Sequence, residues 1–182
     1  MTNRFGSGAD HRLRHVMIAV AGLFAIVFCL PQAVQAGDAA DPLRTRTIQR
    51  AYGDVRIDLQ NAIVNQGLTI DYNGKLGDML KRTAKDVGAK GDLYVDAEYF
   101  TFCSSRLSRK MMDADPNNMG LCPYMVFLFE PVGSNGKVTV GYKEMPMRGD
   151  AGSQAALTEI NALLQAILDE AKVCVEYILG AE

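Results

Sequence analysis

The chain has 182 residues, a formal net charge of −2 and a composition that is 48% hydrophobic, with four cysteines, two histidines and no tryptophan. That charge, without any block of basic residues, offers no footprint for a phosphate backbone, so nucleic acid is excluded as a partner. Both histidines, His11 and His15, stand near the start of the chain.

Arg12, Arg14 and His15 lead into the apolar run Val16–Leu30, which Pro31 closes before Ala33-Val34-Gln35-Ala36. A basic start, a short apolar core and small residues two apart predict a signal peptide over residues 1–36, cleaved after Ala36. A membrane anchor is the competing reading, but a spanning helix needs about 20 apolar residues and this run is shorter. Cys29 lacks the residues expected before a lipidated cysteine, and Arg12-Leu13-Arg14 is not a twin-arginine pair. The expectation is a periplasmic or secreted protein that meets the membrane only during export. Its mature form would hold no histidine, which excludes Ser–His and Cys–His nucleophile pairs, imidazole bases and His-ligated zinc. Cys103, Cys122 and Cys174 remain. An odd count in an oxidising compartment suggests one bridge and one leftover thiol.

Residues 37–50 read as a flexible leader that runs into an edge strand, since Thr45 to Tyr52 alternates loosely. Asp54 is a plausible N-cap for a helix carrying Val55, Leu59, Ala62 and Ile63, ended by Gly67. Leu68–Tyr72 alternates at period two and is closed by Asn73-Gly74, a strand and turn. Leu76, Met79, Leu80, Ala84 and Val87 predict a second amphipathic helix, stopped by Gly88. Leu93 to Cys103 is a strand with Phe100 and Phe102 on one face and Tyr99, Thr101 and Cys103 on the other.

Ser104 or Ser105 caps a short helix through Leu107 and Met111. Met125 to Phe129 is apolar without alternation, as in a central strand covered on both faces. It turns through Pro131–Gly136 into a hairpin with the strand Val138–Tyr142. Ala156, Ile160, Leu163, Ile167, Ala171, Cys174 and Ile178 form one stripe on a long C-terminal helix. The order predicts a single α+β domain over residues 51–182, with one mixed or largely antiparallel sheet and helices packed mainly on one face.

Several of these features together resemble the domain of unknown function 302 family. They are the helix Val55–Gln66 ending in Gly67, the strand Leu68–Tyr72, Asp115-Pro116, Cys122-Pro123 before an apolar strand, and the hairpin to Val138–Tyr142. The resemblance covers roughly residues 51–146. It implies a compact α+β fold, often as a homodimer, and it implies no activity. Cys103 and Cys122 look like a feature of an exported, cysteine-containing subgroup.

Three chemistries compete for Cys103 and Cys122. A structural disulfide would tie two adjacent strand ends and, for a loop of this length, stabilise by about 3 kcal/mol. A redox pair would use a helix N-terminus after Cys103, with Arg106 and Arg109 nearby, to favour thiolate. The close Cys-x-x-Cys spacing of dithiol oxidoreductases is missing. A Cu(I) site would add Met111 and Met119 as thioether ligands. Adjacent Met111 and Met112 project about 100° apart on a helix and do not serve one ion easily, and methionine is an ordinary core filler.

Asp113-x-Asp115-x-Asn117 begins like a calcium loop. Asn118 replaces its glycine, Pro116 interrupts it and Tyr124 stands where glutamate belongs, so it reads as a polar turn. Cys174 on an apolar stripe reads as buried and inert. Glu98 and Glu130 flank the core strands; a carboxylate pair is one reading, but nothing in the sequence places them together, and they read as solvated strand ends. No cofactor is called for, and no glycine-rich phosphate loop follows Ala36. The leading expectation is a non-enzymatic exported domain that binds a protein or small-molecule partner, with a structural disulfide. A thiol-redox protein is the first alternative and a Cu(I)-binding protein the second.

Overall fold

The structure, a computed structural model, describes residues 42–173. The expected signal segment, Cys29, Cys174 and Ile178 lie outside the described residues. Strands β1 (Leu43–Gln49), β2 (Ile70–Gly74), β3 (Tyr94–Phe102), β4 (Tyr124–Pro131) and β5 (Lys137–Lys143) make one sheet in the order β1-β5-β4-β3-β2. Every neighbouring pair is antiparallel. Helices α1 (Tyr52–Asn65), α2 (Leu76–Thr83), α3 (Ser105–Ala114) and α4 (Ala151–Val173) complete the α+β fold, with a short 3₁₀ helix at Pro116–Leu121. Among the described residues no helix is long and apolar enough to cross a membrane.

Alternation decides which strand face is buried. Phe100 and Phe102 on β3, Tyr124, Val126 and Leu128 on β4, and Val138, Val140 and Tyr142 on β5 share one face and are buried. Against them pack Val55, Leu59 and Ile63 of α1, Leu107 and Met111 of α3, and Leu157, Ile160, Leu164 and Ile167 of α4. Each large apolar side chain removed from water here contributes about 1.5–3 kcal/mol.

The opposite face was expected to be covered over β4, and it is not. Tyr99, Thr101, Met125, Phe127 and Phe129 are half-buried there, outside the helix-packed core. What shields them is each other and the sheet. The Phe127 and Phe129 rings stack with centroids 6.2 Å apart, and Tyr94 meets Phe129 edge-on at 5.4 Å. Phe127 lies over Gly141, where a Cβ would come within 2.7 Å of its ring. Apolarity without alternation in β4 therefore marks two different faces, one in the core and one open.

Three local expectations change. Helix α1 begins at Tyr52, capped by Ala51 with no side-chain bond, because the Ala51 carbonyl accepts the Asp54 and Val55 amides. Asp54 sits in the first turn, where its charge complements the helix N-terminus. Asn73-Gly74 belongs to β2 and makes no turn, since Asn73 Nδ2 donates to Glu98 Oε2 at 2.9 Å and Gly74 lies beneath the Tyr99 ring. Helix α2 ends at Thr83, so Val87 stands exposed in the following turn.

The position of α2 follows from the shortness of β2. Strand β2 pairs only with Tyr99–Phe102 of β3, and α2 flanks the remaining edge. A Cβ on Gly77 would stand 2.9 Å from the Ala97 nitrogen, and Lys81 Nζ donates to the Val95 carbonyl at 2.8 Å. Gly77 thus lets the helix approach the strand backbone closely, and Lys81 occupies an edge acceptor that could otherwise template a foreign strand.

Candidate functional site

The pairing of Phe102 with Tyr124 sets up the cysteine site. Cys103 follows the first of these residues and Cys122 precedes the second by two, so both fall just beyond the last rung of the β3–β4 ladder. Ser104 then caps α3, accepting from the Leu107 amide at 3.4 Å. One turn into α3, Ser108 Oγ lies 3.5 Å from Cys122 Sγ and 3.1 Å from Tyr124 Oη. The Tyr124 ring is buried and meets Phe102 edge-on at 6.1 Å.

Both cysteines are thiols here, Cys103 on an exposed residue and Cys122 half-buried. The Cys122 thiol is near enough to bear on that of Cys103. Partial burial of the sulfur, then the Cys122 thiol and Asp71, push the Cys103 thiol up to about 11, against a small opposing pull from a backbone bond with Tyr124. Burial likewise pushes the Tyr124 phenol up to about 12. The cations that might have favoured thiolate are engaged elsewhere. Arg106 donates to Glu159 at 3.1 Å and Arg109 to Asp113 at 2.8 Å.

Of the four side chains considered for Cu(I), Cys103 and Cys122 are neighbours beyond the end of the β3–β4 ladder. Met111 is fully buried in the core, and Met119 is 70% exposed on the 3₁₀ helix. No cluster of three or more His, Cys, Asp or Glu suited to a metal occurs among the described residues. The Asp113–Asn117 segment is a capped turn: Asp115 Oδ1 accepts the Asn117 amide at 2.9 Å, and Asp113 is held by Arg109.

Glu98 departs from the expectation of a solvated strand end. It is 5% exposed, and its Oε2 accepts from Lys75 Nζ at 2.7 Å, Arg56 Nε at 2.9 Å and Asn73 Nδ2 at 2.9 Å. Burial raises its carboxyl, but the bonds from Lys75, Arg56 and Asn73 outweigh that and hold it below the usual range. Glu130 is not its partner, since it pairs in register with Asp96 while Glu98 faces Leu128. The signal was present in the sequence: Glu98 stands two residues from Phe100 and four from Phe102, on the core face of the strand.

Beside this cluster, at the β2–α2 corner, lies an open recess of about 490 Å³ lined by Tyr72, Lys75, Asp78, Met79, Arg82 and Tyr99. The Tyr72 and Tyr99 rings form one wall, 6.1 Å apart and tilted by 55°.

No family model and no curated protein matches the chain. A solved structure does: the crystal structure of an uncharacterised conserved protein, DUF302, from Bacillus stearothermophilus, with a TM-score of 0.61 over 73% of this chain and 100% of that one. At 13% identity the likeness is one of fold. The chain has the fold of domain of unknown function 302.

Proposed function

We propose that the chain is an exported, non-enzymatic binding domain in which Cys103 and Cys122 form a structural disulfide, and that it works as a homodimer. The observation that carries this reading is the placing of two thiols just beyond the last rung between β3 and β4, one of them pushed up to about 11 by burial and by the other. A thiol poised for exchange needs a pKa near or below ambient pH. Cys103 has the reverse environment, and its nearest chemistry is the neighbouring sulfur. A bond between them would tie the β3 end to the β4 start.

The exposure of Cys103 favours the rival, a dithiol that exchanges with a partner. The reduction potential separates the two. A structural bridge is expected below about −300 mV, and a value well above that, with Cys103 alkylating at neutral pH, would replace the present reading by the redox one. Peptide mass mapping of the non-reduced protein is expected to find Cys103 joined to Cys122 and Cys174 free.

A further inference from the structure

The recess at the β2–α2 corner carries two opposite charges that do not meet. Asp78 and Arg82 stand one turn apart on α2, a spacing of about 6 Å between β-carbons at which such residues ordinarily pair. Here both line the recess, and neither makes a hydrogen bond or ion pair among the described residues. Lys75 is drawn back to Glu98, which itself is shared with Arg56 and Asn73. The Tyr72 and Tyr99 rings, tilted to each other, supply an aromatic wall.

We infer that this recess binds a free α-amino acid with an aromatic or long apolar side chain. Arg82 would take the carboxylate with its planar fork, and Asp78 the ammonium. One carbon carries both ligand charges, so a pair of side chains one turn apart matches them. The ligand side chain would lie against Tyr72 and Tyr99, where aromatic rings prefer offset or edge-on contact. A simple anion would meet Asp78, and a simple cation would meet Arg82 and Lys75. Only a zwitterion satisfies both signs. The inference rests on the reading of the chain as a binding domain and names the ligand.

The test is a titration of isotope-labelled protein, prepared by expressing the full chain, followed through backbone amide shifts. L-phenylalanine is compared with 3-phenylpropionate, which lacks the ammonium, and phenethylamine, which lacks the carboxylate. L-phenylalanine is expected to shift amides between Tyr72 and Arg82, and each analogue to bind at least about tenfold more weakly, the loss of one charge-assisted bond. Asp78→Asn and Arg82→Gln should each weaken L-phenylalanine by about tenfold or more. Binding of 3-phenylpropionate as tight as L-phenylalanine overturns the inference, as do shifts mapped elsewhere or none up to about 10 mM. The analogue series uses unaltered protein, so it decides the matter even if a variant fails to fold. A null titration with the Cys103–Cys122 bond mapped as expected removes this ligand and leaves the proposed function standing.

Discussion

Two side chains carry most of the residue-level argument, Cys103 and Glu98. If the bond forms, replacing Cys103 or Cys122 by serine should cost about 2–5 kcal/mol in a urea titration under oxidising conditions. Under reducing conditions the same substitutions should cost much less, because only weak thiol contacts, including that of Cys122 with Ser108, are altered. Equal stability of variant and parent under both conditions would count against the cross-link. Glu98 makes a separate prediction about acid. Its folded carboxyl is held below the ordinary 4.5, so the unfolded state binds the proton more tightly. The stability it contributes is therefore complete above the unfolded value and is lost as pH falls through the folded one. Glu98→Gln should lower stability at pH 7 by about 2 kcal/mol, less than a fully enclosed pair because Arg56 and Lys75 reach solvent. It should also flatten the acid limb below about pH 4.5. An acid limb as steep in the variant as in the parent would assign that limb to other groups.

At the scale of elements, what could be read in advance was what local pattern dictates. The β4–β5 hairpin, the helix through Val55 and Ile63, the strand bearing Phe100 and Phe102, and the Ser104 cap all follow from spacing and turn chemistry. What could not be read depends on contacts across the sheet. The extent of β2 is set by Glu98 and Tyr99 on the next strand, and Asn73-Gly74, a turn signal in isolation, is overruled by them. The uncovered face of β4 is likewise invisible in a run of apolar residues, since the rings that shield it lie on neighbouring strands. The candidate recess needs β2, α2 and β3 brought together, so it was not singled out from the sequence. Two glycines test this account. A Cβ on Gly141 would stand 2.6 Å from the Arg44 carbonyl oxygen and 2.7 Å from the Phe127 ring, so Gly141→Ala should lower stability by about 1–3 kcal/mol. Gly53 in α1 has open space around it, and Gly53→Ala should raise stability by about 0.5–1 kcal/mol. Thermal melts of the two variants should move in opposite directions, and a neutral Gly141→Ala would mean the open face is not packed as described.

For the whole molecule, the outstanding questions are where it is delivered and what meets its open face. Export predicts an N-terminus at Gly37 or within a few residues of it, read by sequencing protein from the periplasm or medium. An intact Met1 retained in the membrane fraction would make this an anchored domain. The face question follows from the layer arithmetic. A two-layer domain buries one side of its sheet, and here the other side presents Met125, Phe127 and Phe129 between Thr101, Tyr99 and Ala97 of β3 and Gly141 and Thr139 of β5, without a charged side chain at its centre. Contiguous apolar surface of this kind usually marks an interaction site. With its lysines, Lys137 and Lys143, only at the two ends of β5, the centre of this face lets two copies meet without like charges opposed, as a two-fold interface requires. Light scattering of the purified protein is expected to report a dimer. Thr139 pairs in register with Phe129 and so shares its face, while making no side-chain bond among the described residues. Thr139→Glu should therefore place two carboxylates in the interface and shift the protein to monomer with its thermal midpoint for the isolated fold little changed. A parent that is already monomeric at high concentration, or a Thr139→Glu variant that remains dimeric, would move the partner to another surface.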